Sequence, residues 1–257
     1  PTLPTPTTST SAAVRWGVDL GFWMFLGYAF QAVALETTTA SRSAFLLYLN
    51  VKLVPFFQYF LERKEVQAST WAGAAVAVMG TGLLCLDQEG GLGDWNVGDT
   101  WSIAAAAASA MFILRLEKAN EKVGDGDTAL FSAVSIWCVA LGSAAWSLLV
   151  VHGGDAGLTL QDMIATLKDN AFPLVYLGGV TTALTNFLQT VGQRGVSAEK
   201  ASLIYALDPV WGAIFATALL DERLGTFGYV GAGLITLAAA QNAIFALAKE
   251  NETEKSR

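Results

Sequence analysis

The chain has 257 residues, of which 53% are hydrophobic and 14% charged, with a formal net charge of −7 and a mean hydropathy of +0.46. An ordinary soluble domain carries about 25% charge, so a water-soluble globular protein is excluded and most of the surface is meant for lipid. The charges are confined to loops and tails, so the acidic balance is not read as the mark of a basic partner, and no nucleic-acid partner is expected.

The first sixteen residues open on a Pro/Thr/Ser run, Pro1-Thr2-Leu3-Pro4-Thr5-Pro6. They hold no apolar core of signal-peptide type, and they read as a disordered lead-in, 1–16. Eight apolar stretches follow, at 17–35, 43–61, 70–86, 100–116, 129–151, 172–193, 201–220 and 227–248. A bilayer core needs about 20 helical residues to cross it, so the chain is expected to be an all-α polytopic membrane protein with eight transmembrane helices. Between the third and fourth stretches lies a Gly-rich connection, 87–99, holding Asp87, Glu89, Asp94 and Asp99. It reads as a solvated acidic loop. Residues 249–257 form a polar tail.

Loop charges set an orientation. With the N-terminus inside, that side holds Arg15, Arg63, Lys64, Arg115, Lys118, Lys122, Arg194, Lys200, Lys249, Lys255 and Arg257, against Arg42, Lys168 and Arg223 outside. Such an excess is the positive-inside bias, and an even number of spans returns both termini to one side. Which membrane is meant is not written in the sequence.

Chemistry is sparsely represented. Cys85 and Cys138 both fall inside spans, and His152 is the only histidine. No disulfide framework, zinc knuckle, nucleophile–base set or phosphate-binding loop is present, so no cofactor, metal or catalytic site is expected.

At an offset of 158 residues the chain matches itself over 21–84 and 179–242. Gly21 meets Gly179, Gln31 meets Gln189, Ala40 meets Ala198, Gly73 meets Gly231, and Asn50 faces Asp208. The span boundaries coincide as well. The first span runs inside to outside and its counterpart, the sixth, runs back, so the units are inverted in the membrane, as in many secondary transporters. Two extra spans precede the second unit and none precede the first, so a complete molecule is expected to hold ten.

The passage Gly27-Tyr28-Ala29-Phe30-Gln31 through Ala34-Leu35-Glu36-Thr37-Thr38-Thr39-Ala40-Ser41-Arg42-Ser43-Ala44-Phe45-Leu46 resembles the third-to-fourth helix passage of EamA-type proteins of the drug/metabolite transporter superfamily. Asp208-Pro209, then Asp221-Glu222-Arg223-Leu224 and Gly231, is similar to the ninth-to-tenth passage. The first repeat departs from the pattern at Val51, where proline is usual, and at Glu62-Arg63-Lys64-Glu65. The resemblance implies a ten-helix inverted-repeat carrier, with 17–86 as a partial first repeat of three spans and 100–248 as a second of five. It also implies a cavity lined by the first, second, sixth and seventh spans of this chain.

Polar residues inside spans usually turn to the protein interior. Thr182, Asn186, Gln189 and Gln193 recur at i, i+4, i+7 and i+11, within about 60° of one another on an α-helix. The counterpart stripe carries Tyr28 and Gln31. Lys52 lies deep in the second span with Tyr48 one turn before it, and Asp208 lies inside the seventh with Tyr205 three residues earlier. A mid-membrane cation is costly unless paired or hydrated, so three readings stand for Lys52: snorkelling to the interface, pairing with Asp208, or binding an anionic group of a solute. The expected binding set is therefore Tyr28, Gln31, Tyr48, Lys52, Asn186, Gln189, Tyr205 and Asp208. Interhelical hydrogen bonding without a ligand is the competing reading for the stripe. Small residues at 104–108, 142, 178, 179, 228, 231 and 233 read as points of close helix approach. Pro55 and Pro209 read as kinks or interruptions of their helices, beside a binding site or as plain packing kinks.

The function expected is carriage of a small organic solute, with Asp208 and Glu36 as protonatable groups if a proton is coupled. The alternative is a non-transporting accessory or scaffold subunit derived from a carrier. The partners implied are the bilayer and a small-molecule solute, whether anionic or not being left open. Homo-oligomerisation and membership of a membrane complex are both left open.

Overall fold

The computed structural model describes residues 10–38, 43, 46–63, 68–86, 96–153, 165, 167–205, 207–208, 210–211, 214–215, 218 and 225–238, apart from some helical side chains, those of Val51, Lys52 and Cys85 among them. The described elements are helical throughout. They are α1 (Thr10–Leu35), α2 (Asn50–Glu62), α3 (Ala68–Leu86), α4 (Val97–Lys122), a 3-10 turn (Asp125–Asp127) and α5 (Thr128–Gly153). The sixth span follows as α6 (Ala171–Val175), a π-helix (Tyr176–Leu184) and α7 (Thr185–Gly192), and then comes α8 (Ala198–Tyr205). A further apolar helix, α9, covers Thr226–Ala238. Among the described residues, four helical segments suffice by length and composition to cross a bilayer: Thr10–Leu35, Val97–Lys122, Thr128–Ser147 and Ala171–Gly192. The protein is an all-α, multi-pass membrane protein.

Two sequence expectations are corrected. The lead-in expected over 1–16 is helical from Thr10 onward, with Ala13 fully buried. Past Pro6 the chain carries Ser11-Ala12-Ala13-Val14-Arg15-Trp16, with no proline or glycine to stop a helix growing back from the apolar stretch. The second correction concerns Asp99. It belongs to the first turn of α4 rather than to the solvated loop, and it is fully buried. Its carboxylate accepts from the Asn96 backbone N–H at 2.8 Å and from the Thr38 hydroxyl at 3.0 Å. The Asn96 side-chain oxygen accepts in return from the Asp99 N–H at 3.0 Å. This reciprocal arrangement satisfies donors that a helix start leaves orphaned.

The chain folds as two compact units. The first comprises Pro1–Leu26 and Arg115–Val196. Within it α1 lies directly on α5. A Cβ on Gly17 would come within 2.7 Å of the Phe131 carbonyl oxygen and Val134 Cβ, and one on Gly21 within 2.5 Å of Cys138 Cβ. Only glycine permits that approach, the device that lets helices associate where no hydrophobic effect drives them together. Gly142 meets the Phe25 ring in the same way.

The second unit comprises Gly27–Leu114 and Ser197–Arg257. Its centre is the alanine-rich part of α4, where Ala105, Ala106 and Ala110 are fully buried. Ser102 of α4 donates to Ser43 at 3.0 Å, and Asn50 of α2 donates to Ser109 of α4, also at 3.0 Å. α2 packs against α8, and Gly80 of α3 sits against the Gly231 backbone and Ile235 of α9. α3 and α9, which the 158-residue offset relates, are thus neighbours in this unit. Pro55 is buried within an uninterrupted α2, whereas Pro209 lies outside the described residues. The close approach expected of the in-span glycines holds at Gly142 and Gly231. At Gly178, Gly179 and Gly233 it is not met among the described residues, where a Cβ would find nothing within 4 Å.

Candidate functional site

The predicted polar residues divide between the two units. Asn186 and Gln189 belong to the first. Tyr28, Gln31, Tyr48, Lys52, Tyr205 and Asp208 belong to the second.

In the first unit, Asn186 is buried on α7, 2% exposed, facing α5. Its side-chain amide donates to the hydroxyls of Ser132 and Ser135, both at 3.2 Å, and the Ser135 hydroxyl donates to the Ser132 carbonyl at 2.7 Å. One turn on, the Thr190 hydroxyl returns to the Asn186 carbonyl at 2.8 Å, and the Asn120 amide of α4 donates to the Thr190 carbonyl at 3.2 Å. The oxygens Asn186 Oδ1 and Asn120 Oδ1 are buried without a hydrogen-bond partner among the described residues. Arg194, just past α7, donates to the Gly124 carbonyl at 3.3 Å and to the Thr128 hydroxyl, fastening the end of the span to the α4–α5 turn.

The buried polar face of α7 is therefore Asn186 and Thr190, continued by Gln193 just past its end, with Gln189 half-buried beside it. Thr182 does not extend it, because it lies in the π-helix, where i→i+5 pairing replaces the spacing of 3.6 residues per turn. Asn186 is engaged in contacts between helices, the competing reading at that position. Ser132, Ser135, Thr190 and Asn120 were not anticipated. Their signal was present in the i, i+3 spacing of the two serines on a stretch that is otherwise apolar.

An ion pair was missed as well. Arg115 lies within α4, and its Nε is 3.5 Å from Asp19 Oδ2 of α1, with both side chains about one-third exposed. Charge counting alone had treated Arg115 as a loop residue.

In the second unit, Tyr28 is 43% exposed, Gln31 half-buried, Tyr48 and Tyr205 half-buried and Asp208 exposed. Lys52 is helical in backbone, and its side chain, hence the expected pairing with Asp208, lies outside the described residues. Among the described residues, no three His, Cys, Asp or Glu side chains gather as a metal site would require.

Three comparisons place this architecture. The profile of the EamA-like transporter family matches residues 96–242, more than half of the chain. An Archaeoglobus fulgidus protein named as an uncharacterized transporter is 26% identical over 222 residues, covering 86% of this chain and 66% of the relative. The chain thus spans just under two thirds of that relative's length. A protein of known crystal structure superposes with a TM-score of 0.65 at 16% identity, covering 94% of this chain and 88% of the other. That likeness is one of fold.

Proposed function

We propose, from the premise that this chain belongs to the EamA-like transporter family, that it carries a small organic solute across its membrane by alternating access. The family match over 96–242 is the observation that supports this most strongly, and the name of the Archaeoglobus relative agrees with it. Intramembrane polar and ionisable groups mark solute pathways by default. Tyr28, Gln31, Tyr48, Lys52, Tyr205 and Asp208 are proposed to form the solute path, all of them in the second unit. Lys52 is the residue assigned to an anionic group on the solute, and Asp208 is its counter-charge when the site is empty. No catalytic role is assigned to any residue.

Uptake of radiolabelled organic anions into vesicles reconstituted with the full chain tests this reading. Saturable uptake by the wild type that is lost in Lys52→Met supports it. Uptake unchanged in Lys52→Met removes that residue from the site.

A further inference from the structure

The sixth span is built from two unlike halves. Its inner half, α7, is fixed to α5 by the Asn186 amide on Ser132 and Ser135 and is anchored below by Asn120 and Arg194. The outer half, α6 with the π-helix, contains no buried residue. The π-helix, nine residues from Tyr176 to Leu184, is the part of the outer half that meets α7. Runs of π-helix are rare and occur mostly as single-turn bulges at functional positions, because their hydrogen bonding is less favourable than that of an α-helix.

Three local features make this segment able to change register. Gly178 and Gly179 stand in its middle with open space around both Cβ positions among the described residues, so none of these packs against them to resist a rotation. Two threonine hydroxyls, Thr181 and Thr182, both donate to the Leu177 carbonyl, at 2.7 and 2.8 Å. The Thr185 hydroxyl reaches the Thr181 and Thr182 carbonyls. These side chains supply acceptors with partners that do not depend on which backbone N–H pairs with them, which is what a helix needs when it switches register inside a bilayer. The corresponding part of α1 is built oppositely. Gly21, the counterpart of Gly179, is wedged against Cys138 and Ser135, and α1 is α-helical throughout.

We infer that Tyr176–Leu184 is a hinge, a π-to-α register switch that lets the outer half of the sixth span swing while α7 stays fixed on α5. Hinge motions of this kind concentrate a large change in a few element-terminal residues. As a gate the hinge rests on the carrier reading given above. Its existence does not, and the two are tested separately.

Spin-label distances on the reconstituted full chain decide the matter. One pair, Leu174→Cys with Trp146→Cys, reports the outer half against α5. The other, Leu188→Cys with Trp137→Cys, reports the anchored half. All four side chains are exposed, so labels disturb no packing. The outer distribution is expected to be about twice as broad as the inner one, or split into two distances. It is expected to narrow to the inner width in Gly178→Ala/Gly179→Ala, which favours a single α-helical register. Outer and inner pairs of equal width in the wild type would overturn the hinge. So would an outer width unchanged by the double-alanine substitution. A narrow outer pair in a protein that still takes up solute removes the hinge and leaves the carrier reading standing. A broad outer pair without uptake does the reverse.

Discussion

Asn186 of α7 stands 3.2 Å from Ser135 of α5, its amide donating to the serine hydroxyl in a fully buried setting. The same amide reaches Ser132, so one side chain joins the sixth span to the fifth at two points. Within the membrane such bonds average about 0.6 kcal/mol and reach about 1.7 kcal/mol. A double-mutant cycle of Asn186→Ala with Ser135→Ala, read from thermal unfolding in detergent, is expected to return a coupling in that range. A coupling of zero would mean that α7 is held by something other than this pair.

Gly21 and Gly179 occupy equivalent places in the internal repeat, yet their surroundings differ completely. A side chain at Gly21 collides with Cys138, and one at Gly179 meets nothing among the described residues. Gly21→Ala is expected to destabilise the protein by about 1–3 kcal/mol through overpacking, while Gly179→Ala stays within about 0.5 kcal/mol of the wild type. Melting curves of the two purified variants check this. Equal effects would contradict the packing described for α1 on α5.

Asp99 closes the start of α4 with both carboxylate oxygens engaged. Removing such a cap costs about 0.5–2 kcal/mol, and Asp99→Ala also leaves the Thr38 hydroxyl without its acceptor. Asp99→Asn retains one acceptor oxygen, so its loss of stability should fall between wild type and Asp99→Ala. Thermal unfolding of the three proteins gives the order directly. An Asp99→Ala protein as stable as the wild type would mean that the cap contributes nothing.

Arg115 and Asp19 form a loose pair, 3.5 Å apart and partly exposed, so its strength is modest and screened. Breaking one side inside a membrane still strands a charge. Asp19→Ala alone is expected to lower stability more than the double variant Asp19→Ala/Arg115→Leu. Additive losses across that cycle would show that the two residues do not interact.

Much of the architecture was legible from hydropathy, because a bilayer imposes length and apolarity on every crossing segment. That was enough to recognise the long helices around α1, α4, α5 and the sixth span. Where the reading failed, the deciding force was local and invisible to an average. Asp99 looked like one of four loop acids until the reciprocal bonds with Asn96 drew it into a helix start. Arg115 was hidden by its place near the end of a helix longer than its apolar core, Val97–Lys122. The stripe from Thr182 to Gln193 assumed one helical period throughout, and the π-helix breaks that period between Leu184 and Thr185. Asn186 was found by its position, but its partners Ser132 and Ser135 were passed over, since two serines in an apolar span carry little weight when counted singly.

Alternating access is the central claim, and counterflow measures it most directly. Proteoliposomes preloaded with a high concentration of unlabelled solute are diluted into the same solute carrying a label. Taken over a panel of organic anions, a carrier accumulates label transiently above its outside concentration for at least one solute, because inward and outward movements share one site. Equilibration without overshoot, or no uptake beyond empty liposomes for any solute, would contradict the account.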